Sequence, residues 1–236
     1  MKVAKLKEEV WKTNLDIYKY NLVISTWGNA SGVDRSKGIV VIKPSGVPYN
    51  NLKLDDMVVV DLEGQVIEGE LKPSSDTPSH LELYKVFKQI GGITHTHSEY
   101  ATIFAQARRE IPCLGTTHAD FSKEDIPLTR MLTKEEVEED YEGNTGKVIV
   151  ERFAGLKPLE IPAVLVAGHG PFTWGKTPSE SVENSLILEK IAKMALSAFQ
   201  INPELNRLPE YLRKKHYQRK YGADAYYGQE KKGEKK

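Results

Sequence analysis

Three histidines carry the strongest chemical signal in this sequence. His95 and His97 stand two apart in Gly91-Gly92-Ile93-Thr94-His95-Thr96-His97. Side chains two apart on a strand share a face, so the pair can grip one ion, or it can be two ordinary strand histidines. His169 adds a third candidate. The apolar run 161–167 ends in Gly168-His169-Gly170-Pro171, which throws a histidine off a buried strand end. Glycines on both sides let the backbone turn and let a neighbour approach closely, which also suits a purely structural turn. Three histidines on two strands would leave an open coordination position, as a catalytic divalent ion requires. Asp76 lies just before the helix that leads into the His95 strand and can offer a carboxylate to the same ion; its plain alternative is a turn residue. His80 reads as a packed or solvent-facing helix residue, and His118 is open to either reading.

A second set of residues suits an anion. Pro73-Ser74-Ser75 precedes a helix N-terminus, where free N–H groups and the helix dipole favour phosphate. Lys43-Pro44-Ser45-Gly46 and Trp27-Gly28-Asn29-Ala30-Ser31 are two further small-residue turns. One such turn is weak evidence, because most are only turns. Three of them beside a metal site suggest a phosphorylated substrate whose other end reaches the ion.

The elements that must position these groups can be read from periodicity. Apolar residues Leu6, Val10 and Ile17, widened by Trp11, Leu15 and Tyr18, predict an amphipathic helix over 3–20. Strands follow at 39–43, 57–62 and 65–68, the last two joined by a tight Glu63-Gly64 turn. Thr77-Pro78 opens a helix, and Thr177-Pro178-Ser179-Glu180 opens a longer one with a capping-box glutamate, running to about residue 199. Strands are expected near 92–97, 147–153 and 162–167, helices near 98–108 and 133–140, and a last helix at 209–221. Helices and strands mix throughout, no linker divides the chain, and several strand pairs are joined too briefly for helical crossovers. The expectation is one α/β domain over residues 1–229, a three-layer α/β/α sandwich with a mixed, largely antiparallel sheet. The charged tail 230–236 is expected to be disordered.

Composition narrows the classes. The 236 residues carry 33 Lys+Arg and 33 Asp+Glu, so no whole-molecule field draws the chain to nucleic acid or an anionic membrane. Any phosphate must be captured by a local site. The single cysteine, Cys113, excludes an internal disulfide and reads as a small core residue in a reducing, cytoplasmic setting. The N-terminal stretch breaks its apolar positions with Lys and Glu, unlike a signal peptide, and no apolar run approaches the roughly 20 residues of a membrane span.

The segments TWGNASGVDR (26–35), IKPSGV (42–47), KPSSDTPSH (72–80), GGITHTHS (91–98), GTTHAD (115–120), HGPFTWG (169–175) and KHYQRKYGADAYYGQ (215–229) together resemble the L-ribulose-5-phosphate 4-epimerase branch of the class II aldolase family. HTH with HGPF marks the wider family, whereas PSSDTP, TTHAD and AYYGQ are more specific to the epimerases. The resemblance implies a zinc site, with Mn²⁺ or another divalent ion as a substitute, at Asp76, His95, His97 and His169. It implies substrate and phosphate contacts at Gly28, Asn29, Ser45, Gly46, Ser74 and Ser75. It implies Asp120 and Tyr227 as an acid/base pair, with Thr116, Glu142 and His216 lining the site. It further implies a cyclic homotetramer with sites between subunits, serving pentose (L-arabinose) catabolism.

The implied reaction explains the residue types. Inverting C4 of a pentulose phosphate by simple deprotonation would leave an unstabilised carbanion, because that hydrogen is not next to the carbonyl. Breaking the C3–C4 bond places the charge on a three-carbon fragment, where a divalent cation stabilises it. The second fragment, tethered by its phosphate, rotates and is attacked on its other face. Each face then needs a proton carrier for the C4 oxygen. Asp and Tyr titrate ordinarily near about 3.9 and 10, so both need tuning for that work. Three rivals remain at this level: an aldolase that releases its fragments, a non-catalytic aldolase-like module, and a metal hydrolase.

Overall fold

The computed structural model describes residues 3–228, so the tail at 230–236 lies outside the described residues. Helix α1 (Val3–Lys19) is followed by strands β1 (Asn29–Asp34), β2 (Ile39–Ile42), β3 (Val58–Asp61) and β4 (Val66–Glu68). Helix α2 (Thr77–Val86), strand β5 (Gly92–His95), helix α3 (Glu99–Gln106) and the short α4 (Thr116–Ala119) come next. Helix α5 (Lys134–Arg152), strands β6 (Ala163–Leu165) and β7 (Pro171–Gly175), and helices α6 (Pro178–Ile201) and α7 (Glu210–Tyr221) complete the order.

The strands form one seven-stranded sheet in the order β4-β3-β2-β1-β5-β7-β6. Every ladder is antiparallel, and the parallel component is an isolated bridge between Leu128 and Leu165. Period-two alternation sorts the strand residues between two helical layers. Val33, Val40, Ile93, Val164, Phe172 and Trp174 join Leu83, Tyr84 and Ile149 on the side of α2 and α5. Ile39, Val41 and Val59 meet Leu6 and Val10 of α1 on the other side, where Ala163 and Leu165 meet Leu188 and Ile191 of α6. The expected α/β/α sandwich is therefore present. No helix among the described residues is long and apolar enough to cross a membrane.

Two central strands escape the periodicity, and one expected strand is a helix. Both β1 (NASGVD) and β7 (PFTWG) are buried along their whole length, but β1 holds too many small and polar residues to read as a strand, and β7 is a short run between Pro and Gly that reads as part of a turn. Gly32 shows why for β1: a Cβ there would lie 2.7 Å from Pro178 and 2.9 Å from Leu6, so only glycine lets α1 and α6 lie against the sheet. The segment 147–153, expected as a strand for its Val-Ile-Val run, instead completes α5. Its helix is set by Asp140, whose carboxylate accepts the Gly143 N–H at 3.1 Å. Gly146 seats it against α2, where a Cβ would come within 2.7 Å of Glu82. Tight helix packing thus overrides the β-branched propensity.

Candidate active site

The β1–β5 ladder pairs Asn29 with His95 at the C-terminal end of β5. The strand expected over 92–97 ends at His95, and His97 follows two residues beyond it. His169 sits in the tight β6–β7 connection, closed by Val166 N–H to the Gly170 carbonyl at 2.9 Å. Gly168 takes the left-handed conformation (φ 73) that this turn needs. Gly170 lets the His97 segment come close, since a Cβ there would lie 2.8 Å from the Thr96 carbonyl oxygen. Consequently the three Nε2 atoms converge: His95 to His97 is 3.2 Å and His97 to His169 is 3.1 Å.

Burial, reinforced by the neighbouring rings, pushes His95 and His169 down to about 3. Burial also lowers His97, against the pull of the Asp76 carboxylate. All three are therefore neutral near pH 7 and offer lone pairs. The outer Nδ1 of His95 lies 3.0 Å from the Pro171 carbonyl, which can only accept, so its proton sits on Nδ1 and Nε2 is free. Neutral imidazoles facing one another at such distances suit a shared divalent cation, and the donor set matches zinc chemistry. Within the described residues, this trio is the group of His, Cys, Asp or Glu able to hold a metal ion. Asp76 stands at its edge, its Oδ2 accepting from Asn29 Nδ2 at 2.6 Å.

Beside the histidines lies a cleft of about 220 Å³ lined by Gly28, Asn29, Ser45, Gly46, Ser74, Ser75, Asp76, His95 and His97. Its three turns are tied together. Ser45 N–H donates to the Lys72 carbonyl at 2.9 Å, and Ser74 N–H to the Lys43 carbonyl at 3.0 Å. Asn29 Nδ2 also donates to Ser74 Oγ at 3.0 Å, and the Tyr49 hydroxyl donates to the Gly28 carbonyl at 2.7 Å. Asn29 Oδ1 is buried with no protein partner among the described residues. Lys43, at the root of one turn, is 1% exposed; its Nζ lies 4.8 Å from the Tyr49 ring centroid and burial lowers it to about 8.

The remaining expected residues gather elsewhere. Asp120 caps α4 and accepts from His216 Nδ1 at 3.1 Å and Arg219 Nε at 3.0 Å. Burial alone would raise its carboxyl, but the hydrogen bonds from Arg219 and His216 outweigh that and hold it below the ordinary aspartate range. The Arg219 guanidinium lies 4.9 Å from the Tyr227 ring centroid, and Tyr227 N–H donates to the Arg219 carbonyl at 3.0 Å. Thr116 opens α4, one turn before Asp120. Among the described residues, no hydrogen bond or ring contact joins this group to the histidines. Glu142 adjoins the histidine side on α5, where its backbone carbonyl accepts from Ser79 Oγ at 2.5 Å.

Residues 8–196 match the family described as Class II Aldolase and Adducin N-terminal domain. The chain belongs to this class II aldolase family. Among solved structures it is similar to an L-fuculose 1-phosphate aldolase, at 28% identity and a TM-score of 0.77, over 91% of this chain and 95% of the other. YgbL from Klebsiella pneumoniae aligns at 24% identity and 0.73, over 91% and 99%. An L-fuculose-1-phosphate aldolase from Thermus thermophilus aligns at 23% and 0.66, over 85% and 98%; these last two likenesses speak for the fold. Membership in the class II aldolase family supports metal-dependent sugar-phosphate chemistry of the aldolase/epimerase type, and the histidine trio fits the divalent ion such chemistry uses.

Sequence reading of this class II aldolase chain misses three side chains that touch or support the expected site. Tyr141 places its hydroxyl 3.3 Å from His169 Nδ1, Arg219 binds Asp120, and Lys43 underlies the 44–46 turn. Tyr141 adjoins Glu142, but the strand expected over 147–153 hides the helix that aims it. Arg219 and Lys43 lie inside the family-like segments, without a pattern that singles them out.

His80 and His118 resolve as packed residues. His80 is fully buried with Nδ1 2.7 Å from Ser31 Oγ, and His118 Nε2 lies 3.1 Å from the Glu124 carbonyl. Cys113 is buried, and burial raises its thiol to about 11, as suits a core residue.

Proposed function

We propose that this chain is an L-ribulose-5-phosphate 4-epimerase, interconverting L-ribulose 5-phosphate and D-xylulose 5-phosphate through cleavage and re-formation of the C3–C4 bond. The observation that carries the reading is the shared cleft, in which three hydrogen-bonded small-residue turns adjoin converging neutral histidines. A phosphate seated on Ser45, Gly46, Ser74 and Ser75 leaves the keto end of a five-carbon sugar within reach of His95, His97 and His169, with Asp76 as a fourth ligand. A divalent ion held there supplies Lewis-acid stabilisation of negative charge on the substrate oxygens.

The chain's own groups do the rest. The buried Asn29 Oδ1 accepts a substrate hydroxyl, and Asn29 Nδ2 keeps Asp76 turned toward the histidines. The phosphate turns retain the two-carbon aldehyde fragment while it rotates, so recombination is effectively intramolecular, worth up to about 7–11 kcal/mol. Asp120, held ionised by Arg219, accepts a proton from the C4 oxygen on one face, and Tyr227 serves the other. Because Asp120 and Tyr227 belong to a group separate from the histidines, we assign them to the site of a neighbouring subunit in a cyclic homotetramer.

A second reading, release of the fragments as a true aldolase, draws on the likeness to L-fuculose 1-phosphate aldolase. One assay separates them. Purified protein with Zn²⁺ or Mn²⁺ is given L-ribulose 5-phosphate, and D-xylulose 5-phosphate is expected without free glycolaldehyde phosphate. Stoichiometric glycolaldehyde phosphate with no xylulose 5-phosphate would move the chain to the aldolases.

A further inference from the structure

The converging histidines are anchored to unequal degrees at their outer nitrogens. A ring that offers Nε2 to a shared ion must carry its proton on Nδ1, and that proton needs an acceptor. For His95 the acceptor is a backbone carbonyl inside the sheet, Pro171 at 3.0 Å. For His169 it is a side chain, the Tyr141 hydroxyl oxygen at 3.3 Å. The two rings also lie near parallel, with centroids 6.1 Å apart and planes 29° from each other.

A break in α5 delivers Tyr141. Asp140 leaves the helical conformation (φ −162, ψ 79), and its carboxylate caps the following turn through Gly143 N–H. Tyr141 is the first residue after that break. Gly143 leaves room for that carboxylate, since a Cβ would lie 2.0 Å from Asp140 Oδ2 and displace the cap. The new turn is held by Thr145 Oγ1 to the Tyr141 carbonyl at 2.8 Å and by Asn144 Nδ2 to the Glu136 carbonyl at 2.8 Å. The placement is thus built by the fold, although the tyrosine itself is 37% exposed.

We propose that Tyr141 is a positioning residue for the metal centre, accepting the His169 Nδ1–H and so fixing that ring with Nε2 toward the shared ion. This rests on the metal-centre reading of His95, His97 and His169.

Tyr141→Phe removes the oxygen and keeps the ring. Titration of the metal-free proteins with Co²⁺ is expected to show a 10–100-fold loss of affinity, the usual scale for outer partners of a metal ligand, with altered visible absorption bands. Melting of the metal-free variant should match wild type. Wild-type Co²⁺ affinity and spectrum in Tyr141→Phe would overturn the role of Tyr141 while leaving the metal centre intact. Failure of the wild-type chain to bind Co²⁺ or Zn²⁺ would overturn both. Should the variant not fold, ¹⁵N–¹H correlation of the imidazole nitrogens in the unsubstituted, metal-free chain reads the tautomer directly. A proton on Nδ1 of His169 supports the proposal, and one on Nε2 overturns it.

Discussion

The histidine cleft and the Asp120 group are built by opposite means. Around the histidines, β1, β5 and the β6–β7 turn meet in the middle of the sheet, and His95 is 1% exposed. Around Asp120, α7 contributes no buried residue and is held mainly by polar and charged contacts, Arg213 to Glu124 at 2.7 Å and the Asp120 bonds, while the segment leading into it is pinned by Leu208 N–H to the Cys113 carbonyl at 2.8 Å. Tyr227 is 60% exposed. A close-packed sheet can hold an ion's ligands to within tenths of an ångström, whereas a helix without a buried apolar face depends on a few partly buried polar and charged contacts to hold its groups. The contrast is one of support: the histidine half is held by the sheet of a single chain, whereas the Asp120 half rests on a surface helix, which is where the proposed subunit arrangement would have to act.

The hardest test of that division is His97→Asn. The comparison requires bound zinc, measured by elemental analysis after dialysis, to be lost and turnover to fall to background, with only a small change in melting temperature. Full activity of a rigorously metal-free wild-type sample would defeat the metal-centre reading at once.

On the other side of the comparison, Tyr227→Phe and Asp120→Asn should cut turnover roughly 10²–10⁴-fold, the scale of general acid–base work, while zinc content stays at the wild-type level. Metal loss in either variant would tie the two regions together within one chain.

Mixing sharpens the division further. His97→Asn and Tyr227→Phe chains, co-refolded so that subunits exchange, should recover about a quarter of wild-type activity by the counting of head-to-tail symmetry. Mass spectrometry must confirm mixed oligomers. Parental activity in such a sample means that each chain builds its site alone.

The smallest expected effect concerns what supports α4 beneath Asp120. Burial lowers His118 to about 4, below its ordinary value of about 6.5 in the unfolded chain. The unfolded state then binds the extra proton first, so this stabilisation is complete above pH 6.5 and is lost as pH falls toward 4. His118→Gln keeps a donor for the Glu124 carbonyl and cannot titrate. Its stability should fall less steeply across that window, by about 1.4 kcal/mol per pH unit, in denaturant melts at several pH values.

From sequence alone the chemistry was legible wherever it depends on residue type and short spacing. His95 and His97 are legible as a pair from their two-residue spacing, although β5 ends at His95 and His97 stands beyond it, and the glycines about His169 foretold its turn. The three small-residue turns were visible as turns, and the α/β/α layering followed from intermixed helices and strands with brief connections. Tertiary structure alone decided which of these meet. β1 is a strand because its neighbours bury it, despite small and polar residues that no periodicity would select, and β7 is too short a run between Pro and Gly to stand out locally. The 147–153 run is helical because Gly146 lets it lie against α2, a gain that local β-propensity cannot register. That same helix aims Tyr141 at His169, and the docking of α7 joins Asp120 to Arg219 across 99 residues of chain. Such contacts follow from packing between distant segments, which residue type and local spacing do not encode.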